Sequence, residues 1–217
     1  MSPAALPVPA LPTPDCALCP RLAAFRAENR TRLPAYRNAP VPPFGGFDAQ
    51  LLIVGLAPGL HGANRTGRPF TGDGAGKVLY PALVAAGLAA GPYAERADDG
   101  LRLLGTRITN AARCVPPANK PLPAEVRACN PFLAAEMAAM PSLRVVLAFG
   151  SIAHDAVLVA LGQKRSRFAF VHGACHAVRP GLSLFDCYHC SRLNINTGRL
   201  TVAMLADVLD QVRKIVS

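Results

Sequence analysis

Four cysteines of this 217-residue chain have a spacing that could bind a metal. Cys16 and Cys19 form a Cys-x-x-Cys pair, and Cys114 and Cys129 lie much further along the chain. Four thiolates can hold one tetrahedral site, and both zinc and a [4Fe–4S] cluster take four of them. The spacing favours neither metal, although zinc is the more frequent occupant of such sites. Some of these thiols could equally be ordinary buried cysteines.

Three further cysteines are Cys175, Cys187 and Cys190. The last two flank His189 in a second Cys-x-x-Cys, which could form a metal site or a redox pair. Because only histidines accompany them as further ligands, we interpret these three as unligated thiols. Seven cysteines without an export signal are typical of a reducing compartment, where spaced cysteines more often bind metal or do chemistry than form disulfides.

Polar or glycine-rich segments follow most of the strands that the sequence predicts. They are Gly55–Gly59, Asn110, Gly150–Ser151 and His189. In parallel α/β sheets, ligands bind at the carboxyl ends of the strands. We therefore expect these segments to converge on one cleft.

Apolar runs such as Leu51–Val54 predict strands buried on both faces, and they alternate with segments of helical periodicity. The predicted strands cover residues 51–54, 103–109, 145–149, 168–171 and 182–188, and the predicted helices cover residues 15–38, 77–89, 123–139, 152–161 and 200–215. This alternation gives an α/β fold with a mostly parallel central sheet. We expect one domain over residues 15–217, after a disordered, proline-rich lead over residues 1–14.

The chain carries a formal net charge of +10, which favours a polyanionic partner. Each Lys or Arg placed against a phosphate releases a counterion, so nucleic acid is the obvious candidate. The alternative is a merely basic protein with no such partner. No run of about eighteen apolar residues is free of charge, and the proline-rich start lacks a basic segment. We therefore expect no membrane partner, no signal peptide and a cytoplasmic location.

Three long segments carry a resemblance to a known family. They are Gly55-Leu-Ala-Pro-Gly-Leu-His-Gly-Ala-Asn-Arg-Thr-Gly-Arg-Pro-Phe-Thr-Gly-Asp73, Asn110-Ala-Ala-Arg-Cys114-Val-Pro-Pro-Ala-Asn119-Lys-Pro, and Tyr188-His189-Cys190-Ser191-Arg192 with Asn196-Thr-Gly-Arg-Leu-Thr201. In this order they resemble the motifs of family-5, type-b uracil-DNA glycosylases, an iron–sulfur-containing branch of the uracil-DNA glycosylase superfamily. The resemblance covers about residues 15–217.

The resemblance implies a three-layer α/β/α sandwich with a mostly parallel four-stranded central sheet. It also implies a [4Fe–4S] cluster, rather than zinc, bound by Cys16, Cys19, Cys114 and Cys129. The implied activity removes uracil from single- and double-stranded DNA by hydrolysis, which initiates base excision repair, with hypoxanthine and ethenocytosine as further bases. We expect a monomer that works at the nucleoid.

The resemblance assigns the pocket for the everted base. His189 is expected to hold O2 of the leaving uracil, since a neutral imidazole can donate a hydrogen bond to the developing negative charge. Asn110 can donate to O4 and accept from N3–H, and Phe70 offers a face for stacking. Gly55 and Ala57 belong to the same pocket. The alternatives are an ordinary histidine, a turn-forming asparagine and a core aromatic.

Other residues are expected to act on the sugar and on the water. Ala57 stands where other branches place a polar, water-activating side chain, so other residues must take over this task. Asp73 and Asn119 match residues implicated in the family, and the resemblance implies that they orient water or stabilise the sugar cation. Asp73 could instead be only the N-cap of the helix that follows it.

Contacts with DNA are expected from the C-terminal motif. Residues Arg192 to Asn194 lie where related enzymes insert a side chain into the vacated stack, and Leu193 is the candidate for this apolar wedge. Arg199 is a candidate for a phosphate contact. Arg65, Arg68 and Lys120 are further phosphate candidates. The alternative for each of these residues and for Arg199 is an ordinary solvated surface charge.

One departure from the family pattern leaves two other functions open. The type-b motif reads His-Pro-Ser, whereas this chain reads His189-Cys190-Ser191. Loss of the proline removes a restraint on the backbone of this loop. A non-catalytic iron–sulfur module that binds nucleic acid is therefore one alternative. A thiol-redox protein that uses Cys187 and Cys190 is the other.

Overall fold

A β-sheet made from the apolar runs of the sequence forms the centre of the protein. The computed structural model describes residues 11–216. The strands are β1 (Leu51–Gly55), β2 (Ala89–Ala90), β3 (Arg102–Leu103), β4 (Thr106–Asn110), β5 (Val145–Phe149), β6 (Cys175–Arg179) and β7 (Leu182–Cys187). The helices are α1 (Pro20–Arg32), α2 (Ala63–Thr66), α3 (Gly74–Ala85), α4 (Pro123–Ala138), α5 (Ser151–Ala160), α6 (Arg192–Asn196) and α7 (Val202–Val216), with 3₁₀ turns at Pro117–Asn119 and Arg165–Arg167.

The main sheet has the strand order β4-β1-β5-β7-β6. Strands β4, β1, β5 and β7 run parallel, and β6 pairs antiparallel with β7 at one edge. The expectation of a mostly parallel sheet is therefore confirmed, and the antiparallel edge strand adds a fifth strand to the four expected. Strands β2 and β3 pair separately with each other.

The side chains of the inner strand β1 alternate between two apolar cores. Leu51 and Ile53 pack in one core with residues of α3 and α7. Leu52 and Val54 pack in the other core with residues of α4 and α5. Each fully buried side chain of this kind contributes roughly 1.5–3 kcal/mol to folding. Helices thus cover both faces of the sheet, which confirms the three-layer α/β/α sandwich.

Side-chain hydrogen bonds correct the predicted bounds of two helices. The helix expected over residues 15–38 ends at Arg32, because Asn38 Nδ2 donates to the carbonyls of Asn29 and Leu33 and turns the chain back. The helix expected over residues 77–89 begins earlier, at Gly74, because the side chain of Asp73 caps it.

Two strand predictions were wrong in part. Residues 168–171 form no strand, since the carbonyl of Phe168 accepts from His154 and the amide of Val171 donates to Asp186. The strand expected over residues 103–109 is divided at Gly105, which has a φ of 54°. Its first part belongs to β3 and its second part to β4.

The described helices include none that is both long and apolar enough to cross a membrane. The proline-rich lead lies mostly outside the described residues, so its disorder stays a prediction. One domain over residues 15–217 stays a prediction too.

Candidate functional site

A cavity opens at the carboxyl end of the parallel strands, among the loops that follow β1, β4 and β7. Its inner part is lined by Ala57, Pro58, Gly59, Ala63, Phe70, Asp73, Ala75, Asn110 and His189. The wider outer part is lined by Leu56, Leu60, His61, Gly62, Gly72, Gly74, Asn119, Ser191 and Arg192, among others. The structure thus brings Asn110 and His189, which are far apart in sequence, to the walls of one cavity.

Close packing against Gly55 places Phe70 in this cavity. A Cβ atom on Gly55 would lie 2.6 Å from Phe70 Cζ and 2.5 Å from Asn110 Oδ1, so only glycine fits here. Phe70 itself has a φ of 51°, an unfavourable backbone conformation for a bulky residue. Its ring lies near the ring of His189, with centroids 5.8 Å apart and planes inclined by 25°. Gly55 therefore contributes to the cavity by leaving the space that the side chains of Phe70 and Asn110 occupy.

A buried ion pair holds the loop that carries Phe70. Arg68 donates to both carboxylate oxygens of Asp99, at 2.8 and 2.7 Å, and its Nε donates to Thr71 at 2.8 Å. Its guanidinium also lies over the rings of Tyr80 and Tyr93. The expectation of a phosphate contact from Arg68 was therefore wrong, because the side chain is buried and fully engaged.

Asn110 ends β4 with its side chain at the wall of the inner cavity. The residue is 4% exposed, and its amide has no hydrogen-bond partner among residues 11–216. Its donor and acceptor are thus available to a molecule in the cavity.

Asp73 has two roles in the structure. Its Oδ1 accepts from the amides of Ala75 and Gly76, at 3.1 and 3.2 Å, and so caps α3. Its Oδ2 lies close to Gly59 and Gly62, where added Cβ atoms would meet it at 3.2 and 2.3 Å. Asp73 also lines both parts of the cavity. The cap and the cavity use different oxygens, so neither interpretation excludes the other.

The loop after β7 carries His189 and is held by hydrogen bonds to Asn194. Asn194 Nδ2 donates to the carbonyl of His189 at 2.7 Å, and Ser191 Oγ accepts from the amide of Asn194 at 3.4 Å. Cys190, at the position where the family has proline, is fully buried in the core beneath the loop. Burial of this small apolar side chain supplies an anchor where the proline restraint is missing.

Burial also controls the charge of His189. It lowers the pKa of the imidazole below the ordinary value of 6.5, and the negative charge of Asp73 opposes this shift only in part. At neutral pH the ring is therefore neutral, and it can donate one hydrogen bond into the cavity.

An NMR titration of the histidine rings measures this state directly. We expect the ring of His189 to remain neutral from pH 8 to 6.5 and to gain its proton only below pH 6.5, because burial disfavours the charged form. Comparison with the spectrum of His189→Gln identifies its resonance. A pKa above 6.5 would contradict the prediction.

The other predicted site residues lie at or beyond the mouth of the cavity. Asn119, with a φ of 57°, and Arg192 line its outer part. Leu193 and Arg199 do not line it. Leu193 is 70% exposed at the start of α6, and the guanidinium of Arg199 lies 4.7 Å from the centroid of the Tyr188 ring.

Sequence reasoning missed His61 at the outer cavity. Its Nδ1 is 3.0 Å from the hydroxyl of Tyr36, and Arg65 Nε donates to its carbonyl at 2.9 Å. The residue lies inside the first motif, between Gly59 and Asp73. Its position in that motif was the signal available, but the partner Tyr36 comes from a loop that no local pattern connects to it.

The four cysteines of the predicted metal site line a second cavity. Cys16 and Cys19 lie beside the start of α1, Cys114 follows β4, and Cys129 is in α4. The part of the chain that the structure describes contains no three of these sulfurs mutually within 4.8 Å. Arg26 and Arg113 also line this cavity. The donor set fits a group held by four thiolates.

The remaining cysteines are placed as ordinary thiols. Cys187 and Cys190 are fully buried, and burial raises the pKa of Cys187 to about 12 and that of Cys190 further. Such thiols hold no thiolate at neutral pH, which disfavours redox chemistry. Cys175 is exposed in the edge strand β6.

Buried His154 and Asp186 and half-buried His176 form a separate group whose ligand atoms lie within 4.8 Å of one another. His154 Nδ1 and His176 Nε2 are 2.6 and 3.0 Å from the two oxygens of Asp186. His154 Nε2 also faces an acceptor, the carbonyl of Phe168, at 3.0 Å. These short contacts describe a hydrogen-bonded network that ties residues 168–176 to β7.

Comparison with known proteins identifies the family of this chain. Residues 42–213 match the model of the uracil DNA glycosylase superfamily. The type-5 uracil-DNA glycosylase of Thermus thermophilus is 47% identical over 92% of this chain and 93% of its own length. The type-5 enzyme of Pyrobaculum aerophilum is 43% identical over 90% of this chain and 86% of its own length.

A more distant branch is also similar. The type-4 uracil-DNA glycosylase of Pyrobaculum aerophilum is 33% identical over 71% of this chain and 72% of its own length. Both the extent of the match and the higher identity to the type-5 proteins agree with the motifs that line the cavity. The chain belongs to the uracil DNA glycosylase superfamily, and within it to the type-5 uracil-DNA glycosylases.

Proposed function

We propose that this protein is a monofunctional uracil-DNA glycosylase. It hydrolyses the N-glycosidic bond of uracil in single- and double-stranded DNA and so initiates base excision repair, acting as a monomer at the nucleoid in the cytoplasm. The observation that carries this proposal is the meeting of Asn110, Phe70 and His189 at one small cavity. No lysine lines the described cavity, in keeping with hydrolysis that leaves the DNA strand uncut.

The cavity can recognise an everted uracil and accept its negative charge. The unpartnered amide of Asn110 can donate to O4 and accept from N3–H, and Phe70 can stack on the base. Neutral His189 can donate to O2, where charge develops as the bond to the sugar breaks. A protonated donor is unnecessary, because a fixed neutral donor costs no reorganisation as the charge forms.

Other groups must stabilise the sugar and orient the attacking water. Ala57 offers no polar atom, so the task passes to Asp73, whose Oδ2 is free of the helix cap. A carboxylate at the cavity wall can stabilise a sugar with cationic character and can accept a proton from water. Asn119 lines the outer cavity and can align the water.

Release of free uracil from a uracil-containing oligonucleotide tests the proposal. We expect free uracil and an alkali-labile site in the intact strand, with thymine-containing DNA of the same sequence as the control. Binding to the uracil strand without release of the base would select the alternative of a non-catalytic module.

We extend the substrates to hypoxanthine and ethenocytosine. Ala57, Ala63 and Ala75 line the inner cavity with short side chains, which supports a pocket that can take bases other than uracil. The same assay with oligonucleotides containing each base tests this range.

We also propose that Cys16, Cys19, Cys114 and Cys129 bind a [4Fe–4S] cluster. A tetrahedral zinc site places its sulfurs about 3.8 Å apart, because each Zn–S bond is about 2.3 Å. An iron–sulfide cube separates its thiolates more widely, and the absence of a close sulfur trio among the described residues favours it. When bound, the cluster would cross-link α1, α4 and the segment after β4, which leads to Asn119. Iron and sulfide analysis tests this, and a zinc-only result would refute the cluster.

The exposed C-terminal motif supports a contact with duplex DNA. Arg192 at the cavity mouth and Arg199 can approach phosphates, and Leu193 can fill the gap left by the everted base. Extracting a base from duplex DNA costs a few kcal/mol, and this cost is lower for a base in single-stranded DNA.

Leu193→Ala is therefore expected to lower uracil release from duplex DNA about tenfold more than release from single-stranded DNA. The measurement is the ratio of single-turnover rates on the two substrates. Val202→Ala, which shortens another exposed apolar side chain, is the control. Equal losses on both substrates would show that Leu193 is no wedge.

A further inference from the structure

Two buried guanidinium groups border the cavity of the four cysteines. Arg26 is 5% exposed and Arg113 is 1% exposed, and both line the cavity. Arg26 comes from α1, which follows Cys16 and Cys19, and Arg113 directly precedes Cys114. Charged side chains are seldom buried to this degree without full pairing.

In both guanidinium groups, some of the N–H donors have no hydrogen-bond partner. Arg26 Nη1 lies 3.6 Å from Cys114 Sγ, and Arg26 Nη2 donates to the carbonyl of Cys16 at 2.9 Å. Arg26 Nε, Arg113 Nε and Arg113 Nη1 are buried without any hydrogen-bond partner. Such orphaned N–H groups are rare in folded proteins. Three of them beside one cavity indicate that the acceptor belongs in that cavity.

The buried charges point to an anion. Arg113 shares the carboxylate of Glu136 with Arg107, so one negative charge serves two guanidinium groups. Together with Arg26, these side chains carry three buried positive charges against one buried carboxylate, an excess of two. A [4Fe–4S] cluster with an oxidised core and four thiolates carries two negative charges overall and presents sulfur acceptors. Its charge and its acceptors match what the surrounding residues lack.

We propose that Arg26 and Arg113 are the counter-charges of the cluster and donate hydrogen bonds to its sulfur atoms. This inference rests on the proposed cofactor. Net charge and hydrogen bonds to sulfur set the reduction potential of such clusters. Because reduction adds a negative charge, two adjacent cations stabilise the reduced form and raise the potential. They also oppose the loss of the cluster, which would leave both guanidinium groups buried and unpaired.

Arg26→Gln in the purified, cluster-containing protein tests the inference. Arg32→Gln, which removes an exposed charge from the same helix, is the matched control. Protein-film voltammetry is expected to show that Arg26→Gln favours the oxidised cluster about tenfold, which is about 59 mV for one electron. Loss of the visible absorbance to an iron chelator is expected to be about tenfold faster. Arg26→Lys, which keeps the charge, is expected to recover most of the potential.

The midpoint potential decides the outcome. The inference fails if the potential of Arg26→Gln equals that of Arg32→Gln, whatever the rate of iron loss. Arg26 suffices for the test even if replacing Arg113 prevents folding. Iron and sulfide in the unmodified protein are measured first, and their absence would overturn both the cofactor and this inference. Failure to release uracil from protein that holds the cluster would overturn the enzymatic function alone.

Discussion

Replacing His189 with alanine is expected to slow uracil release by about 10²–10³-fold, the usual effect of removing one hydrogen-bond donor from a developing oxyanion. The ring lines the inner cavity, and its loop is held by Asn194. The hydrogen bond from the side chain of Asn194 to the carbonyl of His189 does not depend on the imidazole, so the loop is expected to keep its place. The single-turnover rate at saturating enzyme measures the effect on the chemical step.

Two further variants test whether the loss of rate comes from the missing hydrogen-bond donor. His189→Gln keeps an N–H donor and is expected to recover part of the rate. His172→Ala removes a ring that stacks on Tyr188 outside the cavity and is expected to cost less than tenfold. If His189→Ala stayed within tenfold of the original rate, the base would be released by other means and the assigned role would be wrong.

The sequence predicted the sheet well because its strands are buried on both faces. Runs such as Leu51–Val54 leave few alternatives, since each residue must enter one of two apolar cores. Polar residues at the ends of such strands, such as Asn110, then fall at one edge of the sheet by topology alone. The inner cavity was accessible to sequence reasoning for this reason.

Contacts between distant segments were harder to predict. The phosphate role expected for Arg68 failed because its partner Asp99 lies in a loop without any recognisable pattern. Residues 168–171 have the composition of a strand, yet their backbone bonds to His154 and Asp186. In both places a buried side-chain interaction overrides the local preference.

The cysteines also show what the sequence could not predict. Spacing brought Cys16, Cys19, Cys114 and Cys129 together as a possible site, but it could not choose a metal. The lack of a close trio of these sulfurs among the described residues and the unpaired donors of Arg26 and Arg113 are properties of the folded chain. They are the observations that support the proposal of a cluster instead of a single zinc ion.

Asp73→Asn is expected to reduce uracil release about 10²-fold while leaving the fold nearly unchanged. Asparagine caps helices as well as aspartate does, so its Oδ1 can still accept from the amides of Ala75 and Gly76. The variant loses the negative charge and the proton acceptor that Oδ2 presents to the cavity, and general-base groups contribute about 10²–10⁴-fold. Single-turnover kinetics and thermal unfolding are measured on the same preparation.

Asp73→Ala, compared with Asp73→Asn, distinguishes the helix-capping role of Oδ1 from the catalytic role proposed for Oδ2. It removes the cap as well, so we expect it to lose about 1 kcal/mol of stability, which lowers Tm by about 2–4 °C in a protein of this size. Its activity is expected to match that of Asp73→Asn, because both lack the charge. Near-normal activity of Asp73→Asn beside a weakened Asp73→Ala would mean that Asp73 only caps α3. Of the two candidates, only Asn119 would then remain to orient the water and stabilise the sugar.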